Sequence, residues 1–437
     1  MTILEQLGAH VAGGRRGLSD SARQVLRLHL ADTVGAWIAG SATPEGRALV
    51  KLGGQVGAGT PDRVATNCAL ARLSEIDDIH LASGTTPGAL VVPAALTIAA
   101  SLGWRGAALA GAIAVGYDAM VRLGTALGGP SILTRGIWPT YLTAPFGVAS
   151  VAARLLGLTE TQASHALGIA LALASPAVGH PSGPTMSRWL AIGNAARNGV
   201  TAALSAQAGF TGDLRLFEGE FFSSIYGLSP NPAALLDERP VLGDVSFKPW
   251  CAARQTMAAT QALKEIIEAG VSPSEMTELA VSVPPPYLRM IAHGVVPRDR
   301  ASHLTSVAYQ MALAAFTPDA ALDIKQAPDA VSEEIRNFMS RVTVKADEDL
   351  LKHYPKSWPA RLLVATPSGK REKLVLHVPG DPERAFDELQ VAEKFRRVTV
   401  PVSGERAADA LLSRSLGALD ESPHALLAEI ERACKTA

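Results

Sequence analysis

The sequence predicts a mainly α protein in which a large all-helical domain is interrupted by a smaller α+β domain. Residues 17–230 repeat Ala- and Gly-rich segments with apolar residues at helical spacing. Helical and strand-like patterns alternate after about residue 230, and the chain becomes helical again from about residue 385. We therefore expect a discontinuous helical domain, residues 1–232 plus 386–437, with an α+β domain at residues 233–385.

The first long helix is predicted within "LSDSARQVLRLHLADTVGAWIAG", with Ser19 or Asp20 as its N-cap and Gly40 as its stop. The same form recurs in "VVPAALTIAASLG", "GAALAGAIAVGYDAMVRLG" and "TETQASHALGIALALAS". Small residues allow such helices to approach one another closely. These segments therefore predict a compact layer of helices.

The inserted domain begins after the turn-rich stretch "LSPNPAALLDERPVLGD". A helix is predicted at about residues 253–269, then a strand in "MTELAVSVP" and a helix in "LTSVAYQMALAAF". Strands follow in "SRVTVKAD", "ARLLVATPSG" and "KREKLVLHVPG", the last two joined as a hairpin across Ser368-Gly369. The C-terminal segments "AFDELQVAEKFRRV", "ERAADALLSRSLGAL" and "SPHALLAEIERACKTA" are predicted to be helical.

Composition indicates a folded, globular protein. The 437 residues are 48% hydrophobic and 19% charged, enough apolar surface for a large interior. Lys plus Arg number 40 and Asp plus Glu 41, so charge offers no basis for a nucleic-acid or membrane-surface partner. Nucleotide-binding and metal-binding motifs are missing from the sequence, and we expect neither a metal nor a cofactor.

The cysteines and the N-terminus indicate a cytoplasmic protein. Cys68, Cys251 and Cys434 are far apart and lack metal-binding spacing, which fits a reducing compartment better than a disulfide framework. The N-terminus lacks the basic start and apolar centre of a signal peptide. Apolar stretches are broken by Gly, Pro or charge before they reach membrane-spanning length.

One polar stretch borders an apolar helix in "SEIDDIHLASGTTPGALVVPAAL". Asp77, Asp78 and His80 precede a Gly-Thr-Thr-Pro-Gly turn, and a helix is predicted to start near Val91. The ordinary explanation is a helix cap or turn with both acids facing water, because charged residues are mostly exposed. The alternative is one wall of an active site.

Four other stretches combine polar residues with turns or apolar helices. They are "RGIWPTYLTAPFG", "GPTMSRWLAIGNAARNG", "FKPWCAARQT" and "ASHLTSVAYQMA". Each has an ordinary explanation by itself: Arg188 as a cation between helices, for example, or Tyr309 as a core aromatic with its hydroxyl at the rim. Only their joint order along the chain favours a site.

In that order, and over nearly the whole chain, these segments resemble the 2-methylcitrate dehydratase (MmgE/PrpD) family. The resemblance rests on "LADTVGAWIAG", "EIDDIHLASGTTPGALVVPAAL", "GYDAMVRLG", "IGNAARNGVTAALSAQAGFTG", "KPW" and "SVAYQMALA". It implies a helical domain with an α+β lid, a cofactor-free active site between them and a homodimer. Members act on small di- and tricarboxylates at a carbon next to a carboxylate, by dehydration of 2-methylcitrate, decarboxylation of cis-aconitate or epimerisation of iminodisuccinate.

Such chemistry needs a base at a weakly acidic C–H and positive groups for the developing enolate. We expect His80, oriented by Asp77 or Asp78, to form an acid–base pair with Tyr141. Carboxylate binding suits lysine and, in bidentate form, arginine. The expected substrate-binding residues are Thr86, Arg188, Lys248, Arg254 and Tyr309, the last as a hydrogen-bond donor.

Several positions depart from the family pattern. The resemblance would place histidines at Thr86 and Trp138, a lysine at Arg188, and a His or Tyr near Ala253 and Arg254. Loss of a leaving-group acid weakens a dehydratase more than an epimerase, which only moves a proton between faces. We therefore expect an iminodisuccinate-type epimerase; the alternatives are a 2-methylcitrate dehydratase or cis-aconitate decarboxylase-like lyase, and a non-catalytic carboxylate-binding homologue.

Overall fold

A computed structural model describes residues 1–13, 18–104, 106–175 and 185–437. It divides the chain into two compact units: a helical unit, Met1–Phe247 with Asp387–Ala437, and an α+β unit, Lys248–Phe386. The sequence placed the first boundary at residue 232, but the segment up to Phe247 lies with the helical unit. One reason is the bridge between Ile79 and Ser246, which exchange backbone hydrogen bonds of 2.9 and 2.8 Å.

The described part of the helical unit is built from helices that match the Ala-rich segments of the sequence. They are α1 (Ile3–Gly13), α2 (Asp20–Ser41), α3 (Pro44–Gly53), α4 (Thr60–Leu73), α5 (Gly88–Leu102), α6 (Ala107–Ala126), α7 (Pro139–Leu155), α8 (Glu160–Ala172), α9 (Ser187–Gln207), α10 (Pro232–Leu235), and then, after the α+β unit, α16 (Glu388–Ser403), α17 (Glu405–Gly417) and α18 (Pro423–Thr436).

Small residues bring these helices together, as the sequence predicts. A Cβ on Gly40 of α2 would lie 2.0 Å from the carbonyl oxygen of Leu70 in α4, and one on Gly147 of α7 would lie 2.2 Å from the Met120 side chain in α6. The N-cap of α2 is Ser19, whose hydroxyl accepts from the Ala22 amide. The helix runs one residue past Gly40, to Ser41.

Helix α5 begins three residues earlier than the predicted start near Val91. Its first residue is Gly88, and Pro87 occupies the N-cap position without a side-chain cap of its own. The Asp78 carboxylate supplies the missing acceptor, because its Oδ1 accepts from the Gly88 amide at 2.8 Å. A cap supplied from ten positions upstream leaves no pattern in the local sequence. This explains why the predicted start of α5 is three residues late.

The α+β unit contains a four-stranded sheet of order β2-β1-β3-β4. The strands are β1 (Glu278–Val283), β2 (Val342–Ala346), β3 (Ala360–Thr366) and β4 (Gly369–Val375). Strand β1 pairs parallel with β2 and antiparallel with β3, and the predicted β3–β4 hairpin is confirmed, with Thr366 opposite Gly369. The helices are α11 (Arg254–Glu268), α12 (Leu288–Ile291), α13 (Arg300–Thr305), α14 (Val307–Phe316) and α15 (Glu333–Met339).

Among the described residues, one helix is long and apolar enough to cross a membrane by length and composition alone. It is α6, Ala107–Ala126, and 72% of its most apolar window is buried within the protein. The core helix of a folded domain has the same properties, so this helix carries little weight as a membrane span. The cytoplasmic location stays a prediction.

Candidate active site

Three of the five polar stretches converge within the helical unit. Thr86 donates its amide to Thr140 Oγ1 at 3.1 Å, which joins the segment before α5 to the first turn of α7. The Tyr141 hydroxyl donates to the backbone carbonyl of Arg188 at 3.0 Å, which joins α7 to α9. Arg188 in turn lies 3.5 Å from Glu75, the second residue of the first stretch. The contacts therefore form a closed ring.

The Arg188 guanidinium lies between two indole rings. Its central carbon is 4.8 Å from the ring centroid of Trp138 and 4.5 Å from that of Trp189. Contacts of this kind attract a cation to the face of an aromatic ring and restrict the plane of the guanidinium. Only 17% of the Arg188 side chain is exposed. Arg188 is thus a partly exposed cation in a fixed orientation.

A second arginine, Arg72, completes the charge pattern beside Arg188. Its Nη1 lies 3.1 Å from Glu75 Oε2 and 3.2 Å from Asp77 Oδ1. Burial alone would lower the pKa of Arg72, but the carboxylates of Asp77 and Glu75 outweigh it and raise the pKa. Two cations and two carboxylates therefore alternate in the order Asp77, Arg72, Glu75, Arg188.

Glu75 has a left-handed backbone conformation, with φ of +59°. This region disfavours residues with a Cβ, and such strain is concentrated at functional sites. The side chain held there bridges Arg72 and Arg188. Neither Glu75 nor Arg72 was among the residues predicted to form the site, although Glu75 lies within the first polar stretch.

His80 is held by Ser83 and not by an aspartate, which corrects the expected orientation by Asp77 or Asp78. Its Nδ1 lies 2.9 Å from Ser83 Oγ and accepts from the Ser83 amide at 3.2 Å. Within the described part of the chain, His80 makes no hydrogen bond to either aspartate. Because an amide can only donate, Nδ1 is unprotonated and the neutral ring carries its proton on Nε2. Burial lowers the pKa of His80 to about 4, against a smaller opposing effect of the Asp78 charge.

The two adjacent aspartates are both fully buried, contrary to the ordinary expectation that they face water. Asp78 accepts from the Gly88 amide, from the Tyr117 hydroxyl at 2.7 Å and from His29 Nδ1 at 3.0 Å. With both oxygens in hydrogen bonds, Asp78 is poorly placed to take a proton from a substrate. The expected catalytic role of Asp78 therefore has no support in these contacts.

The remaining predicted residues belong to the α+β unit. Arg254, at the first position of α11, donates from Nη2 to both oxygens of Asp381 at 2.9 and 2.6 Å. Its Nε and Nη1 are buried and have no hydrogen-bond partner among the described residues. Tyr309 packs edge-on against His303, with ring centroids 4.9 Å apart, and burial raises the pKa of its hydroxyl. Lys248 is also buried.

Within the residues that the structure describes, no group of three or more His, Cys, Asp and Glu side chains is arranged to hold a metal ion. The chemistry-bearing groups of the helical unit are instead two arginines, a neutral histidine, a tyrosine and two threonines. Guanidinium groups bind carboxylates, and Nε2–H and O–H groups donate hydrogen bonds or protons. The arrangement therefore suits an anionic substrate.

Sequence comparisons identify relatives of both parts of the chain. The MmgE/PrpD N-terminal domain model matches residues 5–227, and the MmgE/PrpD C-terminal domain model matches residues 250–417. Cis-aconitate decarboxylase from Aspergillus terreus is 32% identical over 152 residues, which cover 33% of this chain and 30% of that protein. Cis-aconitate decarboxylase-like protein oryM from Aspergillus oryzae is 28% identical over 162 residues, 36% of this chain and 33% of that protein.

A mammalian protein shows the same similarity over a shorter segment. Cis-aconitate decarboxylase from Mus musculus is 32% identical over 115 residues, covering 25% of this chain and 23% of that protein. The matches to these curated relatives thus span about a third of their length or less. The decarboxylase activity in their names is theirs and is not carried over to the present chain by matches of this length.

Proposed function

Because this chain belongs to the MmgE/PrpD family, we propose that it is an enzyme that forms an enolate-like intermediate at a carbon next to a carboxylate of a small di- or tricarboxylate. The observation that carries this proposal is the position of the Arg188 guanidinium between the rings of Trp138 and Trp189. The backbone carbonyl of Arg188 also accepts from the Tyr141 hydroxyl. A guanidinium in a fixed plane can bind a carboxylate through two parallel N–H groups. The same charge stabilises an enolate as it forms.

Two neighbouring groups, His80 and Tyr141, are proposed as the acid–base pair. The neutral His80 presents Nε2–H, since its Nδ1 accepts from Ser83. The Tyr141 hydroxyl donates to the Arg188 carbonyl in the free protein and is proposed to turn from it to the substrate. A neutral imidazole is a suitable hydrogen-bond donor to a developing oxyanion, because it stabilises the charge without becoming an imidazolium. Thr86 is proposed to bind substrate, as are Lys248, Arg254 and Tyr309 in the α+β unit. The polycarboxylate partner and the homodimer stay predictions.

The first candidate reaction is epimerisation of the iminodisuccinate type. It is supported by the residues at the two positions where the resemblance would place histidines. Thr86 lies against Thr140, and Trp138 lies against Arg188, so neither position supplies an imidazole for removing a leaving group. An epimerase needs a base that removes the proton from one face of the carbon and an acid that returns a proton to the other face, and Tyr141 and His80 are proposed as this pair.

The second candidate is a lyase that decarboxylates or dehydrates its substrate. It is favoured by the curated relatives, which are named as cis-aconitate decarboxylases. The donor character of His80 and Tyr141 also fits decarboxylation, in which the carbon that loses CO₂ must receive a proton. A carboxylate-binding homologue without catalytic activity is the remaining alternative.

Proton NMR in D₂O distinguishes these candidates in one experiment. The purified protein would be incubated with 2-methylcitrate, cis-aconitate or iminodisuccinate. Deuterium incorporation at the α-carbon with inversion and no new vinyl signal indicates an epimerase, whereas a new vinyl signal indicates a lyase. If no substrate incorporates label or is converted, the proposed activity on this substrate class is wrong.

His80→Ala and Tyr141→Phe test the proposed donors in whichever reaction is observed. Each substitution should lower turnover by about 10²-fold, the scale of a lost general acid or base. Thr125→Val is a matched control, since the Thr125 hydroxyl only donates to the Val121 carbonyl within α6. Turnover within a factor of about two of the wild type in either variant would remove that residue from the mechanism.

A further inference from the structure

We propose that a buried network of five side chains positions the segment 76–88, and that these side chains do not themselves touch the substrate. The Asp78 network, as we name it, consists of His29, Asp32, Asp78, Tyr117 and Lys394. The inference rests on the proposed function, because His80 and Thr86 lie within the positioned segment. It assigns a role to four residues that the sequence did not single out and changes the role of the fifth.

The end of the segment is held by Asp78. Its Oδ1 accepts from the Gly88 amide, while its Oδ2 accepts from the Tyr117 hydroxyl and from His29 Nδ1. The carboxylate also lies at the N-terminus of α5, where the helix dipole stabilises negative charge. A Cβ on Gly88 would lie 2.6 Å from Asp78 Oδ2, so this close approach requires glycine.

The start of the segment is held by Lys394, which lies on α16 in the C-terminal part of the helical unit. Its Nζ donates to the Ile76 carbonyl at 2.9 Å and lies 2.6 Å from Asp32 Oδ1. Asp32 is one turn after His29 on α2, so a single helix supports both ends of the segment.

Backbone contacts connect these two ends to the side chains of the site. Ile79 pairs with Ser246, and the His80 amide donates to the Thr85 carbonyl at 2.8 Å. Ser83, which fixes the His80 ring, also contacts Thr85, with the two hydroxyl oxygens 2.6 Å apart. A displacement of either end would therefore be transmitted to His80 through the short loop.

The burial of the network also supports a role beyond stability. The side chains of Asp32, Asp78 and His29 are at most 1% exposed, and that of Lys394 is 5% exposed. Removing charges from water is costly, and well-packed apolar residues often stabilise a core as much as a buried ion pair does. Hydrogen-bonded charged groups also fix the orientation of the segments they join, because each hydrogen bond forms only between particular atoms.

Tyr117→Phe is the mildest test, since it removes one hydroxyl and leaves the ring. Ser150→Ala is the matched control: it removes a buried hydroxyl that donates only to the Phe146 carbonyl within α7. We would measure kcat and KM for the substrate found in D₂O, together with amide hydrogen exchange at His80 and Gly88 in the free protein. A displacement of about 1 Å in catalytic geometry lowers turnover by about 10²-fold.

The proposal expects Tyr117→Phe to lower kcat by about 10-fold or more with a smaller change in KM, and to accelerate exchange at Gly88, while the Ser150→Ala control does neither. Unchanged exchange at Gly88, or accelerated exchange with unchanged kcat, would overturn it. The exchange measurement is independent of the reaction. If the wild type converts no tested substrate, the proposed function fails, and exchange alone still decides whether the network holds the segment.

A double variant tests whether Lys394 holds the start of the segment. Lys394→Met alone leaves the Asp32 carboxylate buried without its cation, which is strongly destabilising, so it is combined with Asp32→Asn to remove both charges. The double variant should fold and show faster exchange at His80 than the Ser150→Ala control, with kcat lowered by about 10-fold. A folded double variant with wild-type exchange and kcat would exclude Lys394 from the positioning role.

Discussion

Asp77 and Asp78 are neighbours in the chain and both are fully buried, yet they belong to two different electrostatic environments. Asp77 lies beside Arg72 in a group of arginines and carboxylates that leads to the partly exposed Arg188. Asp78 accepts from a backbone amide, a tyrosine and a histidine in the interior. We call these the arginine side and the Asp78 side of segment 76–88.

We infer that the arginine side binds substrate, whereas the Asp78 side supports the binding site. On the arginine side, positive groups are balanced by side chains that a substrate carboxylate can compete with. On the Asp78 side, the hydrogen-bond donors belong to the protein interior and to the N-terminus of α5. The Asp78 carboxylate already accepts from all of them, so none is left for a substrate. Substitutions on the two sides should therefore affect different measurements.

Asp78→Asn should have the largest effect. The new amide NH₂ group would face the Tyr117 hydroxyl or the Gly88 amide, and one of the two oxygens that accept the three hydrogen bonds would be lost. We expect the free energy of unfolding to fall by about 3 kcal/mol or more, the scale of lost hydrogen bonds to a buried charge. Urea unfolding followed by circular dichroism measures this change.

Asp77→Asn is the matched comparison for that experiment. Arg72 keeps its contact with Glu75 in this variant, so the expected loss of stability is smaller, about 1 kcal/mol. Equal losses of stability in the two variants would contradict the division into a supporting side and a binding side.

The sequence predicted the helices and strands well because their patterns are local. Helix α11 was expected at about residues 253–269 and spans Arg254–Glu268, and the hairpin at Ser368-Gly369 follows from turn residues between two alternating runs. The early start of α5 was missed because its cap comes from Asp78, which is distant in sequence. Local patterns do not contain such contacts.

The site was predicted only in part for the same reason. Residue types identified His80, Tyr141 and Arg188, but the partners that give them their properties come from other elements. Lys394 and His29 do carry a signal: each lies on the apolar stripe of its helix, where a charged or polar residue needs a buried partner. The identity of that partner follows only from the fold.

The pH dependence of the free energy of unfolding tests the burial of His80. In the unfolded chain a histidine has a pKa of about 6.5, whereas in the fold burial lowers the pKa of His80 to about 4. Between these values the unfolded state binds a proton that the folded state does not. The stabilising contribution is therefore complete above about pH 6.5 and lost as the pH falls toward 4, by up to about 3 kcal/mol.

His80→Gln should remove this dependence. The urea midpoint of the wild type should fall more steeply than that of the variant between pH 6.5 and 4, and histidine NMR should show His80 neutral at pH 5.5. A His80 signal that titrates near pH 6.5 would contradict the buried, Ser83-bound arrangement.

Arg188→Lys tests the arginine side. Lysine keeps the charge but loses the planar group between Trp138 and Trp189, so it cannot offer two parallel N–H donors. We expect KM to rise by about 10-fold, with kcat less affected and stability nearly unchanged. Arg197→Lys, on the same helix and paired with Asp62 at the surface, is the control. An effect on stability without an effect on KM would show that Arg188 is structural.

Glu75→Gln should have the smallest effect and the opposite sign. The Glu75 carboxylate lies 3.5 Å from Arg188, where a substrate carboxylate is proposed to bind, so the two anions compete for one guanidinium. Removing the negative charge while keeping the shape should lower KM by about 5-fold, because a partly exposed ion pair contributes about 1 kcal/mol. Steady-state kinetics at low ionic strength would measure it. Since Arg188→Lys and Glu75→Gln are expected to move KM in opposite directions, a rise in KM in both would mean that Glu75 orients Arg188 and does not compete with the substrate.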